Sequence, residues 1–289
     1  MNKKSIINWT ILLILSIIWG SSFILMKKSL LKFNYLEVGF YRLIIAFIVL
    51  SPFLISTMRK IKKYHIIPLL IVSLIGTVLP AIIFAKSQMH IQSSLAGMLN
   101  SLTPIFTLIF GIIIFNKNLN VQNIIGIMIG LAGTYLLLSP LKDNILYTKY
   151  SLLIIFATIC YAISINTIKE KLNSLKSLEI AVISSMLSSI VPFIYICHTG
   201  MLYNIEKIYV NFSHFYYLII LGGICTSLAI ILFNYLIKSS SALFGSSTTY
   251  LIPIFAIIWG LLDAEFINNE ELIGIGIILV GVFIMNKKN

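Results

Sequence analysis

Charge is scarce in this chain. Only 10% of its 289 residues are Asp, Glu, Lys or Arg, against 59% hydrophobic residues. A soluble domain carries about 25% charged residues, so there are too few polar side chains here to cover a water-facing surface. Together with a mean hydropathy of +1.01, this places the chain in a bilayer. Acids are the scarcest charge, nine against 21 Lys+Arg. Glu37, Asp143, Glu170, Glu179, Glu206, Asp263, Glu265, Glu270 and Glu271 all fall at the ends of apolar runs or between them. Proton-coupled carriers commonly hold a titratable carboxylate inside the membrane. Its absence from the apolar runs argues for movement down a gradient. Asp263 and Glu265 are the two positions where coupling remains conceivable, and otherwise they read as solvated acids.

Cysteine and catalytic motifs are also missing. Cys160, Cys197 and Cys225 lie inside apolar segments and form no CxxC pair, which excludes a disulfide framework. HExxH, GxSxG, Walker A and GxGxxG do not occur, and the histidines at 65, 90, 198 and 214 lack metal-ligand spacing. No cofactor or metal site is expected, and an integral-membrane enzyme, which would need a catalytic cluster, is disfavoured.

What the chain does have is long apolar runs. A helix needs about 20 mostly apolar residues to cross the hydrocarbon. Ten segments approach that length: 6–26, 36–57, 66–86, 92–115, 121–139, 149–168, 178–199, 213–237, 242–262 and 270–286. The first carries Gly20-Ser21-Ser22, which resembles a signal cleavage site, but its length and the runs that follow suit a retained helix. The net charge of +12 is spread between the runs, not gathered in one patch, so the Lys and Arg read as topology signals and no nucleic-acid partner is expected. With ten spans and both termini cytoplasmic, thirteen Lys/Arg fall inside (among them Lys117) and seven outside, with Arg42 inside a span. The excess supports cytoplasmic termini in the cell membrane. The outside cluster Lys27, Lys28 and Lys32 fits that rule poorly.

The chain repeats itself. Pro104-Ile105-Phe106 and Gly111 recur 149 residues later as Pro253-Ile254-Phe255 and Gly260, while Gly126 and Gly133 recur at 148 as Gly274 and Gly281. His65/His214 and Phe84/Phe233 keep the offset of 149. Earlier in each half, Trp19/Tyr161, Ser22/Ser164, Lys27/Lys169 and Glu37/Glu179 pair at 142, the difference being extra length in the 199–213 link. Five helices per half is an odd number, so the second copy enters the bilayer upside down, the arrangement that underlies alternating access. The expected fold is therefore an all-α polytopic membrane protein of ten transmembrane helices, two inverted five-helix repeats spanning 1–140 and 141–289.

Trp19-Gly20-Ser21-Ser22-Phe23, Arg42, the two Pro-to-Gly blocks and Glu265 nine residues before Gly274 together resemble the EamA family of the drug/metabolite transporter superfamily, along essentially the whole chain. The resemblance implies a ten-helix inner-membrane carrier of small metabolites, often an exporter of amino acids or related compounds. One position departs from it: Lys117 stands nine residues before Gly126, where the family usually has Glu.

The polar residues inside the runs are the candidate substrate-binding groups. Asn100, Ser101 and Thr103 precede Pro104; Ser246, Ser247, Thr248, Thr249 and Tyr250 precede Pro253. Proline frees a carbonyl one turn earlier, so these side chains either serve freed carbonyls or face a cavity. Their equivalent placement in the two halves favours a cavity where the repeats meet. Trp19 and Tyr161, well inside their spans, read as its walls, with Ser22, Asn166, Asn234 and Tyr235 added, while Trp259 reads as an interface anchor. Arg42 has two readings, a fork for a substrate carboxylate or phosphate or a snorkelling side chain paired with Glu37 or lipid headgroups. The glycines at 126, 130, 133, 274 and 281 form small faces for close packing, between the halves or between two chains of a homodimer. The expected partners are thus a small-molecule substrate and membrane lipid. Efflux of cationic drugs is the alternative within transport and would favour an embedded Glu. A structural or receptor protein would not need inverted halves.

Overall fold

The computed structural model describes residues 3–116, 120–138, 145–199 and 205–286. Lys117, Lys142, Asp143, Lys287 and Lys288 lie outside them. Among the described residues the chain is helical throughout, without a strand. Its long segments are α1 (Lys3–Leu30), α2 (Tyr35–Met58), α3 (Lys63–Ser87), α4 (Ser93–Phe115), α5 (Val121–Leu138), α6 (Ile145–Lys171), α7 (Ser177–Thr199), α8 (Phe212–Ser239), α9 (Ala242–Leu262) and α10 (Asn269–Asn286). They occupy the ten predicted positions. Of these, α1–α4 and α6–α9 are long and apolar enough to cross a membrane, and α5 is a shorter apolar helix. The protein is a multi-pass membrane protein.

Several helices are locally broken, each for a visible reason. In α2, Pro52 sits in a tight turn at Ser51–Phe53. In α4 the ladder breaks after Asn100 and resumes at Thr103, with Pro104 in the first turn of the new segment, where its missing N–H is harmless. In α9 the break differs from the expectation: it falls at Ser247, and Pro253 sits inside the continuous segment Thr248–Leu262. Ser246 and Ser247 both donate to the Leu243 carbonyl, and Thr248 donates to Gly245. Hydroxyls that bond back in this way compete with the helix ladder. Both α3 and α8 widen into π-helical stretches, Ile71–Val78 and Gly223–Leu228. In each a threonine bridges the wide turn: Thr77 donates to the Val72 carbonyl at 3.0 Å and Thr226 to that of Leu221 at 2.7 Å. Thr77 and Thr226 stand 149 apart.

Helix starts are tied across the molecule. Asn34 and Glu37 form a reciprocal capping box at α2, and Glu179 accepts from the Lys176 N–H at 2.7 Å at α7. Lys207, ahead of α8, pairs with Glu37, and Lys60, ahead of α3, pairs with Glu179, each at 2.8 Å. Each half thus supplies the cation for the other half's capping acid. Glu37 is accordingly engaged by Lys207, and the alternative in which it holds Arg42 is not what forms.

α1 packs on α9, α6 on α3 and α4, and α2 on α7, while α5 and α10 pack on each other. The α5–α10 contact is made backbone to backbone: a Cβ added at Gly281 would lie 2.7 Å from both the Gly126 carbonyl oxygen and the Gly130 nitrogen, and one added at Gly133 would lie 2.7 Å from the Ile278 nitrogen. The glycine faces are therefore used within one chain.

Candidate functional site

The elements around the centre enclose a cavity of about 120 Å³. Among the described residues eight helices, α1–α4 and α6–α9, line it, and none of the lining residues comes from α5 or α10. Of the residues proposed from sequence, Trp19, Ser22, Arg42, Asn100, Thr103, Tyr161, Asn234 and Thr249 line it together.

The other three lie elsewhere. Asn166 is fully buried and donates its amide to the carbonyls of Thr107 and Ala162 at 2.9 and 3.1 Å, tying α6 to α4. Tyr235 is 39% exposed and faces outward. It follows Asn234 directly, and one residue turns a helix by about 100°, so both cannot face the same way. Tyr250 packs partly buried against the main apolar core.

The walls are two aromatic pairs. Trp19 meets Phe233 edge-on at 4.8 Å, and Tyr161 stacks on Phe84 at 6.0 Å. The Trp19 Nε1 donates to the Cys225 carbonyl at 2.9 Å, within the π-helical stretch of α8. A wide turn leaves carbonyls free of regular ladder partners, and the indole takes one. Trp259, by contrast, is 41% exposed and donates to the Ser21 hydroxyl.

The clustered side chains bond carbonyls and reach the cavity, but the carbonyl one turn before proline is the one served in α4 and not by Thr249 in α9. The hydroxyls serve carbonyls, Thr103 that of Asn100 at 2.8 Å and Thr249 that of Ser246 at 2.9 Å. Asn100, Thr103 and Thr249 also line the cavity. Sequence reasoning missed Thr77, Ser164, Ser184, Phe84, Phe233 and Thr226 as lining residues. The repeat offset was the available signal: Ser164 and Ser184 stand 142 from Ser22 and Arg42, Phe233 stands 149 from Phe84, and both members of each pair line the cavity.

Among the described residues Arg42 is the single charged side chain in the lining. Its Nε donates to the Thr226 hydroxyl at 2.7 Å. Among the described residues no carboxylate lies within ion-pair distance of it.

A second polar group joins the ends of α1 and α9 to the start of α4. Lys27, at the end of α1, meets Asp263 and Glu265, each at 2.7 Å, and Lys28 also pairs with Asp263. Glu265 in turn accepts from the Ser93 and Ser94 N–H groups at 2.9 Å and from the Ser93 hydroxyl at 2.7 Å. It thereby caps the N-terminus of α4, where the helix field favours an anion. Glu265 is 7% exposed, so the expectation of a solvated acid does not hold. Burial alone would raise its pKa, but the hydrogen bonds from Lys27, Ser94 and Ser93 outweigh burial and hold it at about 2. Hydrogen bonds from Lys27 and then Lys28 likewise keep Asp263 below the usual carboxylate range.

Comparison with known proteins agrees with this architecture. The EamA-like transporter family matches the chain twice, at residues 7–139 and 148–287. An uncharacterized transporter of Archaeoglobus fulgidus is 22% identical over 97% of this chain and 99% of its own length. The uncharacterized inner membrane transporter YedA of Escherichia coli K12 is 26% identical over 94% of this chain and 88% of its own. A solved crystal structure superposes with a TM-score of 0.64 at 14% identity, covering 99% of this chain and 97% of the other, a likeness of fold alone. With the family matched in both halves and over nearly every residue, the chain belongs to the EamA-like transporter family.

Proposed function

We propose that this transporter carries small organic metabolites, amino acids or related compounds, out of the cytoplasm by alternating access. Its ten helices would form two inverted five-helix repeats, 1–140 and 141–289, with the central cavity as the substrate site. The observation that carries this reading is the pairing of the cavity lining. Trp19/Tyr161, Ser22/Ser164 and Thr77/Thr226 all line it at the repeat offsets. A lining built from two equivalent sets can open toward one side or the other when the halves exchange conformation. The substrate-binding assignment is confined to the eight predicted residues that line the cavity.

Cytoplasmic termini in the inner membrane accord with the thirteen-to-seven charge balance. The discordant Lys27 and Lys28 carry carboxylate partners, which reduces their weight in that balance. A downhill mechanism accords with the lining, which has no Asp or Glu, and with Glu265 held ionised well below neutral pH. The same lack of a lining carboxylate disfavours cationic drugs as substrates.

Purified protein in liposomes should release or exchange members of a metabolite panel, and Asn100→Ala should slow this while the protein stays folded. If no panel member moves, the carrier reading fails. Strong acceleration by an imposed pH gradient would defeat the downhill mechanism.

A further inference from the structure

Several lining positions recur at the repeat offsets with like side chains, Trp19/Tyr161, Ser22/Ser164, Thr77/Thr226 and Phe84/Phe233, and one pair differs in charge. Arg42 of α2 has Ser184 of α7 as its counterpart 142 residues on. We propose that the cavity selects organic monocarboxylates with an apolar body, in preference to zwitterionic amino acids and to amines, with Arg42 as the carboxylate anchor. This inference rests on the carrier reading and, within its small organic metabolites, moves the preference from amino acids to related monocarboxylates.

Three observations converge on it. First, the guanidinium is oriented but not consumed. Its Nε is fixed on Thr226, whose hydroxyl is itself fixed by the Leu221 carbonyl. The two terminal NH2 groups donate to no described residue. That is the edge with which arginine grips a carboxylate through two parallel bonds.

Second, the charge is uncompensated. A cation in the membrane interior is costly unless it is paired, and among the described residues no acid in the lining offsets it. A monoanion brings the occupied cavity to neutrality. A zwitterion leaves it positive and brings an ammonium that must find neutral acceptors such as the Asn100 amide oxygen. An amine adds a second cation. Third, the remaining wall is largely apolar and aromatic, with Trp19, Phe84, Phe233 and Tyr161 meeting in pairs, so the body of the ligand can be buried without polar partners.

The test is calorimetric titration of the full chain in nanodiscs with three probes that share one isobutyl body: ketoisocaproate, leucine and isoamylamine. The keto acid should bind at least about tenfold tighter than leucine, the scale of the penalty for burying leucine's ammonium without a charged partner, and the amine should not bind. Arg42→Gln should remove the acid's advantage. Thr226→Val, which frees the guanidinium without removing it, should weaken the acid several-fold and leave leucine less affected, and Arg42→Lys should fall between wild type and Arg42→Gln. The inference is overturned if leucine or the amine binds as well as the acid, if the acid fails to bind, or if its affinity survives both Arg42→Gln and Thr226→Val in folded protein. Flux in liposomes separates the two levels. Acid binding that needs Arg42 without any transport sinks the carrier reading and leaves the site. Transport without head-group preference sinks the site and leaves the carrier.

Discussion

Lys27 and Lys169 occupy equivalent positions, near the ends of α1 and α6, yet they do different work. Lys27 joins two carboxylates, one of which caps α4 in trans. Lys169 donates to the carbonyls of Ile237, Lys238 and Ser240, where α8 ends. The N-terminus of α9, which follows, is capped locally by the Ser241 hydroxyl on the Phe244 N–H at 3.0 Å. One end is therefore a buried ion pair seated on a helix N-terminus, and the other is a cation seated on a helix C-terminus. The difference teaches that duplicated backbone positions can be kept while their chemistry diverges. It also implies that the two ends contribute different amounts of stability.

The largest test of that difference is Glu265→Ala against Lys169→Ala. Removing Glu265 strips the amides of Ser93 and Ser94 and leaves Lys27 with Asp263 alone. Breaking a buried pair by deleting one partner costs about 3–5 kcal/mol. Because Lys27 is 31% exposed, about 3 kcal/mol is expected by denaturant titration in micelles. Lys169→Ala removes a cation from helix-terminal carbonyls and should cost about 1 kcal/mol. Equal costs would erase the comparison.

The same contrast has a pH signature. Glu265 in the folded protein titrates at about 2, below the ~4.3 of a free Glu. Its contribution is therefore complete above about pH 5 and disappears as pH falls through 4.3 toward 2. Around it stand Lys27 and Lys28 of α1 and Asp263 beside it, with Tyr147 of α6 and Glu271 of α10 within its field. The difference in stability between the native sequence and Glu265→Gln, measured from pH 8 to 3, should be constant down to about pH 5 and then shrink as pH falls further. A decline between pH 8 and 6 that Glu265→Gln removes would contradict the assigned charge state.

A third variant perturbs neither end. Gly281→Ala places a Cβ 2.7 Å from two backbone atoms of α5. Overpacking costs about 1–3 kcal/mol, and near 2 kcal/mol is expected because backbone cannot swing aside as a side chain would. If the variant leaves stability unchanged, the α5–α10 seam yields to a methyl group, and the ends could not be compared against a fixed frame.

The helix positions were legible because bilayer thickness sets the length of an apolar run, and the repeat was legible because glycine and proline mark its copies. The geometry of the site was only half legible. The offsets paired Trp19 with Tyr161 and Phe84 with Phe233, but the contacts that form run across those pairs, Trp19 to Phe233 and Tyr161 to Phe84. Equivalence in sequence states what is symmetric, not what touches. The π-helical stretches left no mark before Thr77 and Thr226 were seen to bridge them, since a hydroxyl bonded five residues back looks like any threonine in a span. Asn166, Tyr235 and Tyr250 were proposed from polarity and nearness in sequence, when helical phase decides which residues share a face. Glu265 read as a loop acid because its partners, Lys27 and Ser93, are supplied by α1 and α4.

The smallest expected effect lies in the turn that carries Glu265 to its partners. After α9 the Ala264 N–H bonds the Leu261 carbonyl and the Glu265 N–H bonds that of Gly260, at 3.1 and 2.9 Å, while Ala264 adopts φ of 57°. This is the helix-ending motif in which glycine is the usual residue at the left-handed position. Alanine there holds its Cβ against the following carbonyl at a cost of about 1 kcal/mol. Ala264→Gly relieves that strain but also loosens the unfolded chain, which takes back part of the gain, so a stabilisation of about 0.5 kcal/mol is expected in the same denaturant titration. In a Glu265→Ala background the gain should persist, because the strain belongs to the turn's backbone and not to the ion pair. If it vanishes there, the turn and the ion pair are one cooperative unit, and this end of the bundle is more stable than the sum of its parts.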